Sequence, residues 1–312
     1  CILSRSTEWK RSIFKAMPFE IKIRQNGIFR YRLKEEDITA GVLKAGMHDR
    51  FLRFFDMIPD EGFMIAFDPE NPGTGFRMLW QRNMRDEIGI QLPGLTTAGD
   101  IDQVCMCMER VMKRWHTKTF VFENSEYRKE DIPAFGEMLK DRTRANRIRA
   151  RENYSDGVTL IHGALWPLTL ETEKLRAMDD RSFASELARL QAIDYYWCSC
   201  HVYLSDDHKG YQGVFTITAG VDMIIPKEPR PPFGMIDPAT GDEIVCDRYF
   251  ARAVTQHSRR TFLQTDYRHF LELIHAPQLI SYDASHYILP AAMEEQLLAL
   301  EKDDMREAKP CW

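Results

Sequence analysis

The sequence predicts an α+β protein, with largely antiparallel sheets, helices packed on them, and two halves of similar size. Three observations carry this. Apolar-alternating runs of strand length outnumber the helical ones. Several of those runs face each other across a short polar turn, the layout of hairpins. The two kinds of segment are mixed without the regular alternation of a doubly wound sheet. A chain of 312 residues has room for two domains. The expected division is a leading segment over 1–17, an N-terminal α+β domain over 18–153 and a C-terminal α+β domain over 154–312.

Residues 1–17 carry Arg5, Lys10, Arg11 and Lys15 against Glu8, with Ile2, Leu3, Trp9, Ile13 and Phe14 interspersed. They lack the continuous apolar core of a secretory signal. Three readings are open: an extension ahead of a natural start at Met17, an amphipathic first helix with Trp9 and Ile13 four apart, or a lipid-modified Cys1. The first is preferred. Phe19, Ile21 and Ile23 then alternate with polar residues, as do Phe29, Tyr31 and Leu33. A hairpin with the loop Gln25 to Gly27 sets Ile23 opposite Phe29 and Ile21 opposite Tyr31 on one face. Val42, Leu43, Met47, Phe51, Leu52 and Phe55 stand at helical spacing and predict a helix over 35–58. Gly62 to Phe67 and Gly75 to Trp80 are strand-like around an Asp-Pro-Glu-Asn-Pro-Gly turn.

The clearest helix runs from Thr96 to Trp115. Thr97 or Asp100 can cap it, and Ile101, Val104, Cys105, Met108, Val111, Met112 and Trp115 form one face. A strand over 119–122 and a helix from Pro133 past Arg147 follow. In the second half, a short strand at 158–161 precedes a helix over 183–193. Tyr195 to Leu204 and Val214 to Ala219 read as a hairpin. Five of the fifteen prolines fall between Pro226 and Pro238, which marks a rigid connection. A strand over 244–249, a helix near 267–274, strands around 279–289 and a helix over 291–301 complete the chain.

Composition narrows the function classes. With 44% hydrophobic and 29% charged residues, the chain has the apolar content to offset the entropy of ordering. No run of 18 apolar residues predicts a membrane-spanning helix. A formal charge of −5 gives no general attraction to nucleic acid, which is not expected as a partner. Seven cysteines, an odd number in a long chain, fit reduced thiols in a cytoplasm better than a disulfide framework.

Most candidate sites fail on geometry. Cys105 and Cys107 are two apart in a helix and cannot chelate together; Cys105 is placed on the apolar face and Cys107 off it. Cys198 and Cys200 share a strand face from which His201 points away, so buried thiols explain the cysteines, and neither a metal nor a cofactor is expected. Asp206, Asp207 and His208, with His201 nearby, offer metal or acid–base chemistry, against the simpler reading of a polar turn. In Tyr282-Asp283-Ala284-Ser285-His286, an extended strand sends Asp283 and Ser285 one way and His286 the other, which denies them a triad. Gly73-Thr-Gly75 lacks the rest of a phosphate cradle.

The basic run is more substantial. Lys140, Arg142, Arg144, Arg147, Arg149 and Arg151 occur within twelve residues against Asp141 alone. On a continuing helix, Lys140, Arg144, Arg147 and Arg151 form one cationic stripe suited to an acidic partner surface. A solvated face balancing the acidic remainder is the simpler reading.

The run Pro93 to Trp115 and the later Tyr-Asp-Ala-Ser-His-Tyr-Ile-Leu resemble uncharacterised bacterial proteins of about this length, in a family known only as a domain of unknown function. The resemblance implies a bacterial origin and carries over no catalytic residue. The resulting expectation is a non-enzymatic, cytoplasmic bacterial protein that binds a macromolecular partner, an acidic protein meeting the stripe. The rival is a hydrolase or transferase using His201, Asp206, Asp207 and His208, joined by Asp283 and His286.

Overall fold

The computed structural model describes residues 19–26, 30–49, 52–81, 84–205, 210–232, 235–237, 240–256 and 260–304, with side chains described to residue 300. The readings for residues 1–17 and for Asp206, Asp207 and His208 lie outside the described residues. The fold is α+β with mostly antiparallel sheets. Contacts divide the chain into two units, Cys1–Ala192 and Ile193–Trp312.

The first unit is built on a sheet of eight strands: β1 (Phe19–Arg24), β2 (Lys44–His48), β3 (Phe54–Phe55), β4 (Glu61–Phe67), β5 (Phe76–Gln81), β6 (Glu87–Leu92), β7 (Thr119–Phe122) and β8 (Ser125–Arg128). Their order is β3-β2-β4-β5-β6-β1-β7-β8, and every neighbouring pair is antiparallel. Its helices are α1 (Glu35–Thr39), α2 (Ala98–Trp115), α3 (Ile132–Ile148), α4 (Thr172–Ala177) and α5 (Asp180–Gln191). Period-two alternation sends Phe19, Ile21 and Ile23, Phe76, Met78 and Trp80, and Ile88, Ile90 and Leu92 to one sheet face. There they meet Ile101, Val104, Met108, Val111, Met112 and Trp115 of α2, whose threefold and fourfold spacing makes one apolar stripe. Phe135 of α3 packs edge-on against Phe120 and Phe122, with centroids 4.9 and 5.1 Å apart.

Two expectations near the start are corrected. β1 is a central strand between β6 and β7, with Ile21 opposite Ile90 and Phe122, and not the first arm of a hairpin with 29–33. Tyr31 is instead held to Gln25, whose side-chain oxygen accepts the Tyr31 N–H at 2.6 Å. The helix expected over 35–58 stops at Thr39, where Ala40 turns left-handed at φ 50°, and the chain continues as β2 and β3. Alternation announces a strand without naming its partner, and an apolar set buried on two sides satisfies either period.

The domain boundary is corrected as well. It follows Ala192, so residues 154–192 belong with the first unit and not with the second half. The hairpin of β9 (Val158–His162) and β10 (Pro167–Glu171) lays its turn on the second sheet face, where Ala164 and Leu165 cover Ile65, Phe67 and Phe54. Backbone bonds fasten it there: Ala164 N–H donates to Gly73 O at 3.0 Å, and Phe54 N–H to Leu165 O at 2.8 Å.

The second unit holds β11 (Tyr196–Trp197), β12 (Cys200–Leu204), β13 (Tyr211–Ala219), β14 (Met223–Pro226), β15 (Cys246–Thr255), β16 (Thr261–Asp266) and β17 (His286–Leu289), with α6 (Tyr267–Leu273) and α7 (Glu294–Asp304). One sheet runs β12-β13-β15-β16 and the other β11-β14-β17; β13 with β15 and β11 with β14 are parallel, the remaining pairs antiparallel. Of the expected hairpin of 195–204 with 214–219, only 200–204 pairs as β12 with β13, Cys200 opposite Phe215, while Tyr196 and Trp197 form β11 beside β14 in the other sheet. Tyr267 is fully buried against Phe215, centroids 4.4 Å apart, and donates its hydroxyl to Pro226 O at 2.8 Å.

Candidate functional site: a polar cleft at the start of the long helix

The amino end of α2 is where the first unit concentrates its polar side chains. Thr97 caps the helix by accepting the Asp100 N–H at 3.1 Å, and Asp100, three residues into the motif, reaches back to the Thr97 N–H. Asp100 does more than cap. Its carboxylate accepts Thr74 N–H at 2.8 Å, Gly75 N–H at 3.0 Å and the Thr97 hydroxyl at 2.7 Å, so it ties the β4–β5 turn to the helix. Gly73 makes that closure possible, because a Cβ there would collide with Asp100 Oδ2 and Thr97 Oγ1. From α5, the Gln191 amide donates to Pro72 O at 2.8 Å and Gly73 O at 2.7 Å. The joined turn, α2 and α5 enclose a cleft of about 150 Å³, lined among others by Asp68, Asp100, Gln103, Ser185 and Ala188. Gln103 Oε1 is buried there with no hydrogen-bond partner among the described residues. Sequence reading found Asp100 as a cap but missed the cleft, whose other walls come from residues 68–73 and 184–188.

On the opposite face of the same sheet, Arg77 is buried. Its Nη2 donates to His48 Nδ1 at 3.0 Å, while His48 Nε2 pairs with Ala164 O at 2.8 Å. Burial, then the Arg77 charge, pushes His48 down to about 3 and His162 down to about 3. Burial also pulls Arg77 down to about 10. Imidazoles this hard to protonate stay neutral near pH 7.

The basic stripe is not one solvated row. α3 ends at Ile148, so Arg151 lies beyond it, exposed. Arg147, expected to face solvent, is 2% exposed. It donates to Met178 O at 3.0 Å and to Asp180 Oδ1 at 2.6 Å, and lies over the Phe183 ring. Arg144 pairs with Asp141 and Asp180, and Lys140 with Asp102 and Glu137, each at 2.7 to 2.9 Å. Burial opposes the Asp180 charge, yet hydrogen bonds from Arg144 and Arg147 leave its carboxyl below the usual range. Acids from α2 and α5, distant in sequence, took positions that a local charge count reads as empty.

In the second unit, Asp283 and His286 do meet. Nδ1 of His286 lies 2.8 Å from Oδ1 of Asp283, which also accepts the Ser285 N–H at 2.9 Å. Residues 282–285 form a turn instead of the expected strand, so the alternation that was to separate the two side chains does not apply. Trp197 stands edge-on to the His286 ring at 5.0 Å, and Lys227 Nζ donates to the carbonyls of Asp283 and Ala284. His201 is exposed on β12, in the other sheet, and is not brought to this pair by strand pairing.

The thiol placement on α2 is reversed from expectation: Cys107 is buried in the core, whereas Cys105 is half-buried beside Gly136 of α3. Burial pushes the Cys105 thiol up to about 11 and those of Cys107 and Cys200 up to about 12, and raises Cys246. Among the described residues, no group of three or more His, Cys, Asp or Glu is placed to hold a metal ion. No helix described is long and apolar enough to cross a membrane.

One family model, described as a domain of unknown function (DUF4299), matches residues 16–300. No curated protein and no solved structure matches the chain.

Proposed function

The chain belongs to the DUF4299 family, and since that description names no activity, we propose from the geometry that it binds a partner protein and catalyses no reaction. The observation that carries this reading is the edge strand β12. Its sequence, Cys-His-Val-Tyr-Leu, has no proline, lysine, arginine or acid, the residues that ordinarily blunt a sheet edge. Tyr203 and Leu204 are 52% and 50% exposed on it. An extended segment of a partner protein, with apolar side chains at alternate positions, fits such an edge by adding a strand. A reducing, cytoplasmic bacterial setting agrees with free thiols at Cys105, Cys107, Cys200 and Cys246.

The test is selection from a displayed library of extended peptides, followed by hydrogen exchange on the complex. Selected peptides are expected to slow exchange of the amides over 200–204. The double variant Tyr203→Asp, Leu204→Asp should bind them at least tenfold more weakly with an unchanged melting temperature. Protection confined to other segments, or undiminished binding by the variant, overturns the reading.

A hydrolase or transferase is the second reading, favoured by the Asp283–His286 pair. A carboxylate that orients one imidazole nitrogen leaves the other to take a proton. Turnover of ester or phosphoester substrates that His286→Gln abolishes, with folding intact, would replace the binding reading by this one.

A further inference from the structure

We propose that the partner of β12 is a second copy of this chain, the two edges pairing antiparallel about a twofold axis at Tyr203. The inference rests on the edge-strand reading above and names the partner that the edge takes. Backbone direction comes first. Ser205 N–H donates to Gly210 O at 2.8 Å, and Leu204 lies opposite Tyr211. Successive residues of a strand aim their N–H and C=O groups to opposite sides. His201 and Tyr203 therefore bond to β13, while Val202 and Leu204 aim their backbone groups away from it. No strand pairs with that side among the described residues. Cys200 aims the same way but is buried, so the open part of the edge is 201–205.

That segment is its own complement. With Tyr203 facing its counterpart, Val202 of one copy stands opposite Leu204 of the other, and His201 opposite Ser205. Val202 and Leu204, whose backbone groups point outward, then exchange both N–H···O bonds on each side of the axis. Their side chains lie on the inner sheet face, where Val202 already packs on the core, so apolar meets apolar. On the outer face the two Tyr203 rings, 52% exposed in the single chain, come together as a cross-strand aromatic pair. No like charges meet, because 200–204 holds no lysine, arginine or acid and Ser205 adds none. A shift of one residue would set outward-aimed residues against residues already bonded to β13. The pairing joins two four-stranded sheets into one and covers both edges. An edge this short buries far less area than a permanent dimer needs, so the association is weak and concentration-dependent.

The experiment is sedimentation velocity of the whole chain from about 1 to 500 µM, with hydrogen exchange at both ends of that range. A reversible monomer–dimer equilibrium is expected, with slower exchange of the Val202 and Leu204 amides at the high end. Tyr203→Lys and Tyr203→Glu, both at an exposed position, should each stay monomeric with an unchanged melting temperature at the low end. An equal mixture of the two should dimerise again, because a twofold axis at 203 sets lysine against glutamate. A wild type that stays monomeric while displayed peptides still protect 200–204 overturns this inference and leaves the edge-strand reading intact. A dimer that both charge variants retain, or that their mixture does not restore, also overturns it. Exchange over 200–204 that neither peptides nor concentration slow overturns both.

Discussion

His48 makes the first unit acid-sensitive in a way that one substitution should remove. Its hydrogen bonds fix the neutral ring: Nδ1 accepts from the Arg77 guanidinium, and Nε2–H donates to Ala164 O. Burial disfavours the charged ring, and a proton on Nδ1 would also face the Arg77 guanidinium, so the group is held down to about 3. In the unfolded chain the same ring titrates near 6.5. The unfolded state therefore takes up a proton first as pH falls, and stability is lost from about pH 6.5 down to about pH 3. Between pH 7 and pH 5 the loss from this one group is about 2 kcal/mol. For a unit of this size that is a fall of roughly 4–8 °C in Tm. Gln at position 48 keeps a carbonyl to accept and an amide to donate but does not titrate. Differential scanning calorimetry of wild type and His48→Gln at pH 7, 6 and 5 should show curves that converge or cross as pH falls, the wild type losing more. Parallel curves over that range would refute the assignment of a depressed imidazole to this position.

Arg147→Ala should cost about 2–4 kcal/mol in urea unfolding, because it strips a buried fork from Met178 O and Asp180; Arg144→Ala should leave the midpoint nearly unchanged. Gly73→Ala should cost about 1–3 kcal/mol, since its methyl group occupies the space of Asp100 Oδ2; wild-type stability in that variant would show that the turn is not clamped. The raised thiols of Cys107 and Cys200 should resist iodoacetamide at pH 8 in the native protein and react on unfolding, as peptide mass spectrometry would read; rapid native labelling at either position contradicts their burial.

The long helix α2 was legible in the sequence because its signals agree. A threonine cap, an acid three residues on and an unbroken apolar stripe point to one answer, and the structure starts the helix at Ala98. The sheet's strands were legible one at a time, and their order was not. Phe19, Ile21 and Ile23 advertise a strand with one buried face, but the strand they pair with carries Ile88, Ile90 and Leu92, more than sixty positions away. The nearer run at 29–33 has the same alternation. Only the three-dimensional sheet decides between them.

The same distance explains which sites were misjudged, and in opposite directions. The stripe on α3 looked available because its counter-charges, Asp102 and Asp180, lie 38 residues before Lys140 and 36 after Arg144. The pair of Asp283 and His286 looked impossible because a local rule was applied to a segment that turns; Asp283 accepting the Ser285 N–H is the turn that breaks the alternation. Asp-x-Ser is a common opening for such a turn, so the signal was in the sequence but outranked by neighbouring apolar residues. Charge runs therefore need discounting for acids elsewhere in the chain, and a face argument holds only while the backbone stays extended. On both counts the chemistry moves away from the conspicuous arginines. The turn at 68–73 and the start of α2, both visible in the sequence, are joined through Asp100, whereas the α5 face at Ala184 and Ala188 was not visible and meets the turn through Gln191.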